Sequence, residues 1–406
     1  MGGPLRIVSV CRNLPTSEDP STGIFVYQRL AAMARHSDVS AIHPIPFMPY
    51  VRPLPSWGGV ATREHDGLKI ENAPMFYFPG LFKGLDGRWL ARSVAPIIER
   101  IHARNPIDLI DAHFGYPDGV GCLRVGQRLG IPVFITVRGL EADRIHEAFV
   151  GREMVQALRQ AAGCVAVSQT LADLLTENGV NPERISVIHN AIDQSTFQPG
   201  DQAEARAHLA IDASRPLIVS VARLISLKRH HILLEAFSRV RSLIPDAVLA
   251  IVGGPSFEPK YPERLRRQVE SLGLSGSVRF VGNLPPYEVV HWLRAADLFV
   301  LLSAREGCSN AVLEALAVGV PAIVTPAGDN ASFVIPGENG EIVPIDDSAA
   351  TAQALIRSIA QRSWDREGIS QRLAAQVGNW DAVAQRVLQF FRHRLTAECS
   401  AAPQAV

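Results

Sequence analysis

The feature that most constrains this chain is an alternation of short β-branched runs with longer stretches of helical spacing, and it occurs twice. In the first half "LRIVSV" (5–10) reads as a strand and "GIFVYQRLAAMARH" (23–36) as a helix. "IDLIDAH" (107–113) is a strand, "GVGCLRVGQRLG" (119–130) a helix, and "PVFITV" (132–137), "GCVAVS" (163–168) and "ISVIHN" (185–190) are strands, with a helix over 169–178. A polar stretch with Pro199-Gly200 then interrupts the pattern (191–215). It restarts with "PLIVSVARL" (216–224), followed by strands at 247–253, 278–282, 297–303 and 321–325 and helices between them. Such βαβ grammar implies parallel sheets covered on both faces. Two doubly wound α/β domains are predicted, at 1–195 and 216–378, with 196–215 as linker. "NWDAVAQRVLQFF" (379–391) has the spacing of a docked amphipathic helix, expected over about 379–395 and packed back on the first domain. Ligands of such folds bind outside the carboxyl ends of strands, so the default site is a cleft between the two domains.

Composition narrows the function. Lys plus Arg equals Asp plus Glu, at 40 each. That zero net charge argues against a nucleic-acid protein held by bulk charge. The five cysteines are scattered and form no CxxC, so neither a disulfide framework nor a zinc site is expected, and no metal site is predicted. The chain enters a strand-like run almost at once, without a signal-peptide pattern, and has no apolar run near the roughly 18 residues of a spanning helix. A cytoplasmic location is expected. GxGxxG after the first strand and GxxxxGK[ST] are both absent, which leaves a standard dinucleotide site and a P-loop unsupported.

Two stretches carry chemistry. In "VARLISLKRHH", Arg223 ends a strand and Lys228 begins a helix five residues on. A fork donor and a point charge in a loop above a parallel strand suit a diphosphate; two such cations also suit a solvated face. In "EGCSNAVLEALAVGVPAIV" (306–324), Glu314 interrupts an otherwise apolar helix and Glu306 precedes it. A carboxylate in a buried helix costs several kcal/mol, on the order of the effective penalty for a buried ion, unless it is paired. Glu314 therefore either has a partner or surfaces in a cleft. With Asn310 capping the helix, the backbone amides after it would face an anion or a hydroxyl. Two acceptors flanking those donors would suit a polyhydroxylated, phosphorylated ligand.

These residues resemble the retaining nucleotide-sugar glycosyltransferases of family 4, with the GT-B fold of two Rossmann-like domains. The E-x7-E motif is Glu306 to Glu314, followed by Gly319-Val320-Pro321; the RL-x3-K motif is Arg223-Leu224 and Lys228; and "VIHNAID" (187–193) resembles the family hinge, with Ala191 in place of glycine. The resemblance implies that Arg223 and Lys228 hold the donor diphosphate and that Glu314 takes the ribose hydroxyls. It implies that Glu306 takes sugar hydroxyls, and that the amides of Ser309, Asn310 and Ala311 grip sugar and phosphate. Backbone near Gly282–Leu284 would meet the base. Catalytic work would fall to His113, Glu306, Arg223 and Lys228, with no metal and no cofactor.

The first half is similar in a looser way. Gly23, in "PTSEDPSTGIFVYQRL" (15–30), lies where the family brings a glycine close to phosphate or acceptor; a simple turn glycine fits equally. His113 lies at a strand end, where relatives have a cleft histidine. Arg138, in "TVRGLEAD" (136–143), replaces the commoner histidine of T-x-H-G and would meet an anionic acceptor or join an ion pair. The "PDG" (117–119) and "RG" (138–139) wording resembles the teichuronic-acid branch, which acts on cell-surface polysaccharides. The expected activity is transfer of a hexosyl group from a nucleoside diphosphate sugar to a saccharide or lipid-linked acceptor. A nucleotide-sugar epimerase, a phosphorylase of the same fold and a non-catalytic binding protein are the alternatives. "MFYFPGLFKGLDGRW" (75–89) mixes aromatics with Lys83 and Arg88. Packed, it is a hydrophobic connection, which is the expected state; exposed, it would suit peripheral contact with the inner face of a cell membrane.

Overall fold

Short β-branched runs become strands because their side chains pack on both faces of a parallel sheet, and the computed structural model contains two such sheets. It describes residues 3–401 except 17, 20, 21, 56–61, 66, 79 and 361–363. The chain divides into two compact units, 1–190 with 380–406, and 191–379.

The sheet of the first unit contains β1 (Arg6–Val10), β2 (Asp38–Phe47), β3 (Thr62–His65), β4 (Leu68–Phe76), β5 (Leu109–His113), β6 (Val133–Val137), β7 (Gly163–Ala166) and β8 (Ile185–Val187). Their order is β3-β4-β2-β1-β5-β6-β7-β8, parallel apart from the β3–β4 pair. The segment holding β2 to β4 has no counterpart among the sequence expectations. Pro44 and Pro46 argue against a strand, because proline lacks the ladder N–H. The register explains how β2 keeps them. Pairing with β1 ends at Val10 opposite Ile42, and Ile42 O, on that side, accepts from Cys11 N. Pro44 and Pro46 come after that point, so their missing N–H groups face no partner strand. Pairing with β4 continues to Phe47.

The helix Trp380–Ala401 belongs to this unit. Phe390 and Phe391 pack on Phe134 of β6, with ring centroids 6.0 and 4.5 Å away, and Arg394 Nε donates to Ala162 O at 3.1 Å.

The second unit contains β9 (Leu217–Val221), β10 (Val248–Val252), β11 (Val278–Gly282), β12 (Leu298–Leu301), β13 (Ala322–Val324) and β14 (Gly340–Ile342), all parallel, in the order β11-β10-β9-β12-β13-β14. This is the doubly wound order in which the winding reverses between the first and fourth strands. The polar segment expected as a linker is instead part of this unit. It forms the helix Gln202–His208, and buried Arg206 donates to Ala295 O (3.0 Å) and to Asp297 Oδ2 (2.7 Å), which also accepts from Leu217 N (2.7 Å). One guanidinium thereby ties the segment to the start of β9 and the end of the preceding helix. The unit boundary accordingly falls at 190/191 rather than at 195. Cys11, Cys122, Cys164 and Cys308 are free thiols. Among the described residues no helix is long and apolar enough to cross a membrane.

Candidate functional site

In the second unit the reversal lies between β9 and β12, so the loops leaving those two strands border the crevice where such sheets bind ligands. Arg223 and Lys228 lie in the first loop, Glu306 and Ser309 in the second. Ala304 N donates to Leu227 O at 2.9 Å and joins the loops. Glu258 holds the first loop in shape, its carboxylate accepting from Ser226 N (3.1 and 3.2 Å) and Ser226 Oγ (3.1 Å). Lys228 Nζ meets Glu306 Oε1 at 2.5 Å, and Ser303 Oγ donates to the same oxygen. The two charged residues predicted from separate motifs therefore form one half-buried pair. Arg223 is exposed and makes no ion pair among the described residues. Gly328 has φ +57, and a Cβ on it would stand 2.7 Å from Gly307 O, so only glycine fits behind the Glu306 loop.

The helix Asn310–Ala317 begins one residue earlier than the capping expectation required. Ser309, not Asn310, is at the N-cap, and its side chain makes no capping bond. Ser309 Oγ is buried with no partner among the described residues. An unpaired buried hydroxyl costs about 1–3 kcal/mol. This one lies at a helix start, three residues after Glu306.

Glu314 follows a turn later, half-buried, and makes neither a hydrogen bond nor an ion pair among the described residues. Burial, with a contribution from the Asp193 carboxylate, pushes its pKa up to about 7. Asp193 itself stays ionised: burial would raise it, but bonds from Ser195 and Thr196 hold it below its ordinary value. Of the two ways to keep Glu314 in this helix, a partner is absent among the described residues, and the half-buried side chain lies where the helix surfaces. Gly282 ends β11 at φ +91 with open space where a side chain would be, and Leu284 packs against the core.

The first unit places its predicted residues differently. His113, Asp111 and Arg138 are buried in one polar chain. Arg29 Nη2 donates to Asp111 Oδ2 (2.8 Å) and Thr136 Oγ1 (3.0 Å). His113 Nε2 faces Asp111 Oδ2 (3.2 Å) and Ser9 Oγ (3.1 Å), while His113 Nδ1 accepts from Arg138 Nε and Nη2, both at 3.3 Å. Arg138 Nη1 donates to Asn190 Oδ1 at 3.1 Å. Arginine can only donate, so the His113 proton is on Nε2. Burial lowers the His113 pKa to about 4 and that of Arg138 to about 9. Arg29 holds Asp111 well below its ordinary value against the opposing effect of burial. Two expectations are corrected here. His113 presents no unoccupied ring nitrogen to a substrate. Arg138 does not reach outward to an acceptor: its long side chain runs inward, over the Phe25 ring at 5.2 Å, to His113 and Asn190.

Gly23 has φ +68 at the start of the helix Ile24–Ala34, and a Cβ there would fall 1.8 Å from Asn13 O. The close approach that requires glycine is to the protein's own backbone, as in the turn alternative. Replacing Asp111 by asparagine is expected to destabilise this unit by about 3–5 kcal/mol, since it strands a buried guanidinium. Urea unfolding followed by tryptophan fluorescence measures this, and a loss below 1 kcal/mol would contradict it.

Residues 54–196 match the model of Glycosyltransferase Family 4, and 201–393 that of Glycosyl transferases group 1. The D-inositol 3-phosphate glycosyltransferase of Frankia alni is 30% identical over 326 residues, covering 76% of this chain and 80% of the relative. The chain belongs to glycosyltransferase family 4. Rhodococcus jostii has a D-inositol 3-phosphate glycosyltransferase 27% identical to this transferase, covering 96% of its chain and 89% of the relative. Among solved structures the sucrose-phosphate synthase of Thermosynechococcus elongatus matches at TM-score 0.77 and 21% identity, over 97% of the transferase and 100% of that chain. Anabaena HepE, in complex with UDP and glucose, matches at 0.74 and 19%, over 96% and 100%. These likenesses show the GT-B fold.

Several residues that support the site of the transferase were not singled out in its sequence, although Asp193 and Arg29 lie inside quoted motifs. Ser303 bonds Glu306, Asp193 acts on Glu314 and Asp111 bonds His113, while Glu258 and Arg29 act one step removed, through Ser226 and Asp111. Only Asp111 carried a signal: a carboxylate inside a strand, "IDLIDAH", poses the same burial question as Glu314.

Proposed function

We propose that the transferase moves a hexosyl group from a nucleoside diphosphate sugar to an acceptor hydroxyl, with retention at the anomeric carbon and without a metal. One observation carries this reading: Lys228, Glu306, the unpartnered Ser309 hydroxyl and the unpaired Glu314 meet at the reversal point of the second sheet. Anabaena HepE forms complexes with UDP and glucose and with UDP-glucose, which supports a donor of this type.

Lys228 and Glu306 neutralise each other. A bound donor separates them, with the diphosphate taking Lys228 and Arg223, and sugar hydroxyls taking Glu306. Ser309 Oγ and the start of its helix meet phosphate or sugar oxygens, and Glu314 accepts from the ribose diol. As the anomeric C–O bond breaks, negative charge grows on the diphosphate, where Arg223 and Lys228 stabilise it. The acceptor hydroxyl bonds to the same face of the anomeric carbon and gives its proton to the departing phosphate oxygen. His113 and Arg138 act as positioning residues of the first unit, and Gly23, Gly282 and Leu284 as shape-setting ones.

The acceptor has two readings. The likeness of the "PDG" and "RG" wording to transferases of cell-surface polysaccharides favours a saccharide or glycolipid hydroxyl at the inner face of a membrane. The names of the curated relatives favour a phosphorylated inositol. Incubation with UDP- and GDP-hexoses and each acceptor class, with NMR of the product's anomeric proton, tests both. An α-donor should give an α-linked product. An inverted product would overturn retention. Isomerised sugar nucleotide from donor alone, or sugar phosphate from orthophosphate, would move the function to the epimerase or phosphorylase alternative.

A further inference from the structure

We propose that the first unit docks on the surface of an anionic lipid bilayer through the segments that follow β4 and β6. The stretch after β4 does not pack away as expected. Phe47, Phe76, Phe78 and Phe82 form a chain of edge-on rings with centroids 6.2, 5.9 and 5.5 Å apart, and the chain runs outward. Phe76 and Phe78 are half-buried, but Leu81 is 59% and Phe82 61% exposed. Phe149, after β6, is 53% exposed, and its ring lies on Gly84, where a Cβ would stand 2.3 Å from it. The three apolar side chains thus form one patch drawn from two loops, on the scale of the few hundred Å² at which exposed apolar surface marks a contact site.

Phe82 holds φ +53, ψ +30. A bulky residue is a genuine outlier there and persists only where its surroundings impose it. Phe78 meets one edge of the ring, and most of the side chain stays exposed.

The rim selects the partner. Arg88 and Arg92, one turn apart on the helix Asp86–Arg104, and Arg152, in the first turn of the helix Val150–Gln160, are exposed and make no ion pair among the described residues. Lys83 Nζ lies 3.6 Å over the Tyr77 ring and 3.9 Å from buried Asp86, and Glu147 is the exposed carboxylate beside Phe149. Cations therefore outnumber carboxylates around aromatic and leucine side chains. Aromatics with arginine and lysine at their edge match the headgroup level of a bilayer, and each basic residue adds attraction to anionic lipid. A protein partner would call for carboxylates of its own at each of these points; a bilayer supplies negative charge wherever the arginines fall.

The docking is independent of the donor site, so it is measured without nucleotide. The full chain is sedimented with sucrose-loaded vesicles of phosphatidylcholine alone, or with about one third phosphatidylglycerol. Wild type should sediment with the anionic vesicles and be released by salt, and should stay in solution with the neutral ones. Phe82→Ser with Phe149→Ser, and separately Arg88→Glu with Arg92→Glu, should each weaken binding about tenfold or more with unchanged thermal unfolding. Wild type left in the supernatant with both vesicle types would overturn the proposal, as would variants that sediment like wild type. So would light scattering that shows a wild-type dimer split by the Phe82→Ser, Phe149→Ser pair, since a second copy would then cover the patch.

Discussion

Replacing Glu306 by glutamine is expected to lower kcat for sugar transfer by about two to three orders of magnitude, while affinity for the free nucleoside diphosphate stays level or tightens a few-fold. The reason is the bond between Lys228 and Glu306 at 2.5 Å, with Ser303 Oγ on the same oxygen. A diphosphate must take Lys228 away from a carboxylate that the protein has already supplied. Glutamine keeps the shape, gives up the charge, and leaves Lys228 available. On the proposed mechanism it also removes the acceptor that would orient sugar hydroxyls and offset positive charge developing at the anomeric carbon. Lys228→Ala should act with the opposite sign on binding. It deletes a charge-assisted contact to the diphosphate, of about 1.5–3 kcal/mol, and so weakens the nucleotide about ten- to a hundredfold. Fluorescence titration with the nucleoside diphosphate separates the two variants. Equal weakening in both would mean that the ion pair maintains the loop and is not displaced by donor.

The second large effect concerns Glu314. Its pKa is raised from 4.5 to about 7 by burial and by Asp193. A carboxyl whose folded pKa exceeds its unfolded one contributes stability that is complete below about 4.5 and is lost as pH rises through about 7. Above that pH the ionised side chain destabilises the second unit by an amount on the order of 3 kcal/mol. Glu314→Gln should therefore raise Tm by a few degrees at pH 8 and leave it unchanged at pH 4. Ligand binding runs the other way. A ribose diol needs the ionised carboxylate, so nucleotide affinity should fall about tenfold per pH unit below about 7, and binding at neutral pH should release protons. Glu314→Gln should bind weakly with a flat pH profile. A variant that is less stable than wild type at pH 8 would show that Glu314 serves the fold.

How legible all this was depended on whether a residue's neighbours come from its own segment. β9, β10 and β12 were plain in the sequence because each is a continuous apolar run. β2 was not, since Pro44 and Pro46 are acceptable only because β1 stops opposite Ile42. Glu306, Glu314, Arg223 and Lys228 could be picked out because their spacing and their odd setting are local. What holds them is not local: the Lys228–Glu306 pair spans 78 residues and Glu258 reaches back 32 to Ser226. The inward path of Arg138 could not be read from "TVRG", because His113 and Asn190 come from other strands' ends. The helix Asn310–Ala317 was expected to be capped by Asn310, since asparagine is a strong cap by type. The backbone instead turns one residue earlier, at Ser309, and leaves that hydroxyl unpaired.

Isothermal titration calorimetry of the whole chain against UDP and GDP, with Lys228→Ala and Glu314→Ala alongside, tests the donor site most directly. The predicted result is micromolar binding of one nucleotide to wild type and at least about tenfold weaker binding to each variant, both folded. Binding that survives both substitutions, or no binding of either nucleotide to folded wild type, would contradict the assignment of the donor to the crevice between β9 and β12.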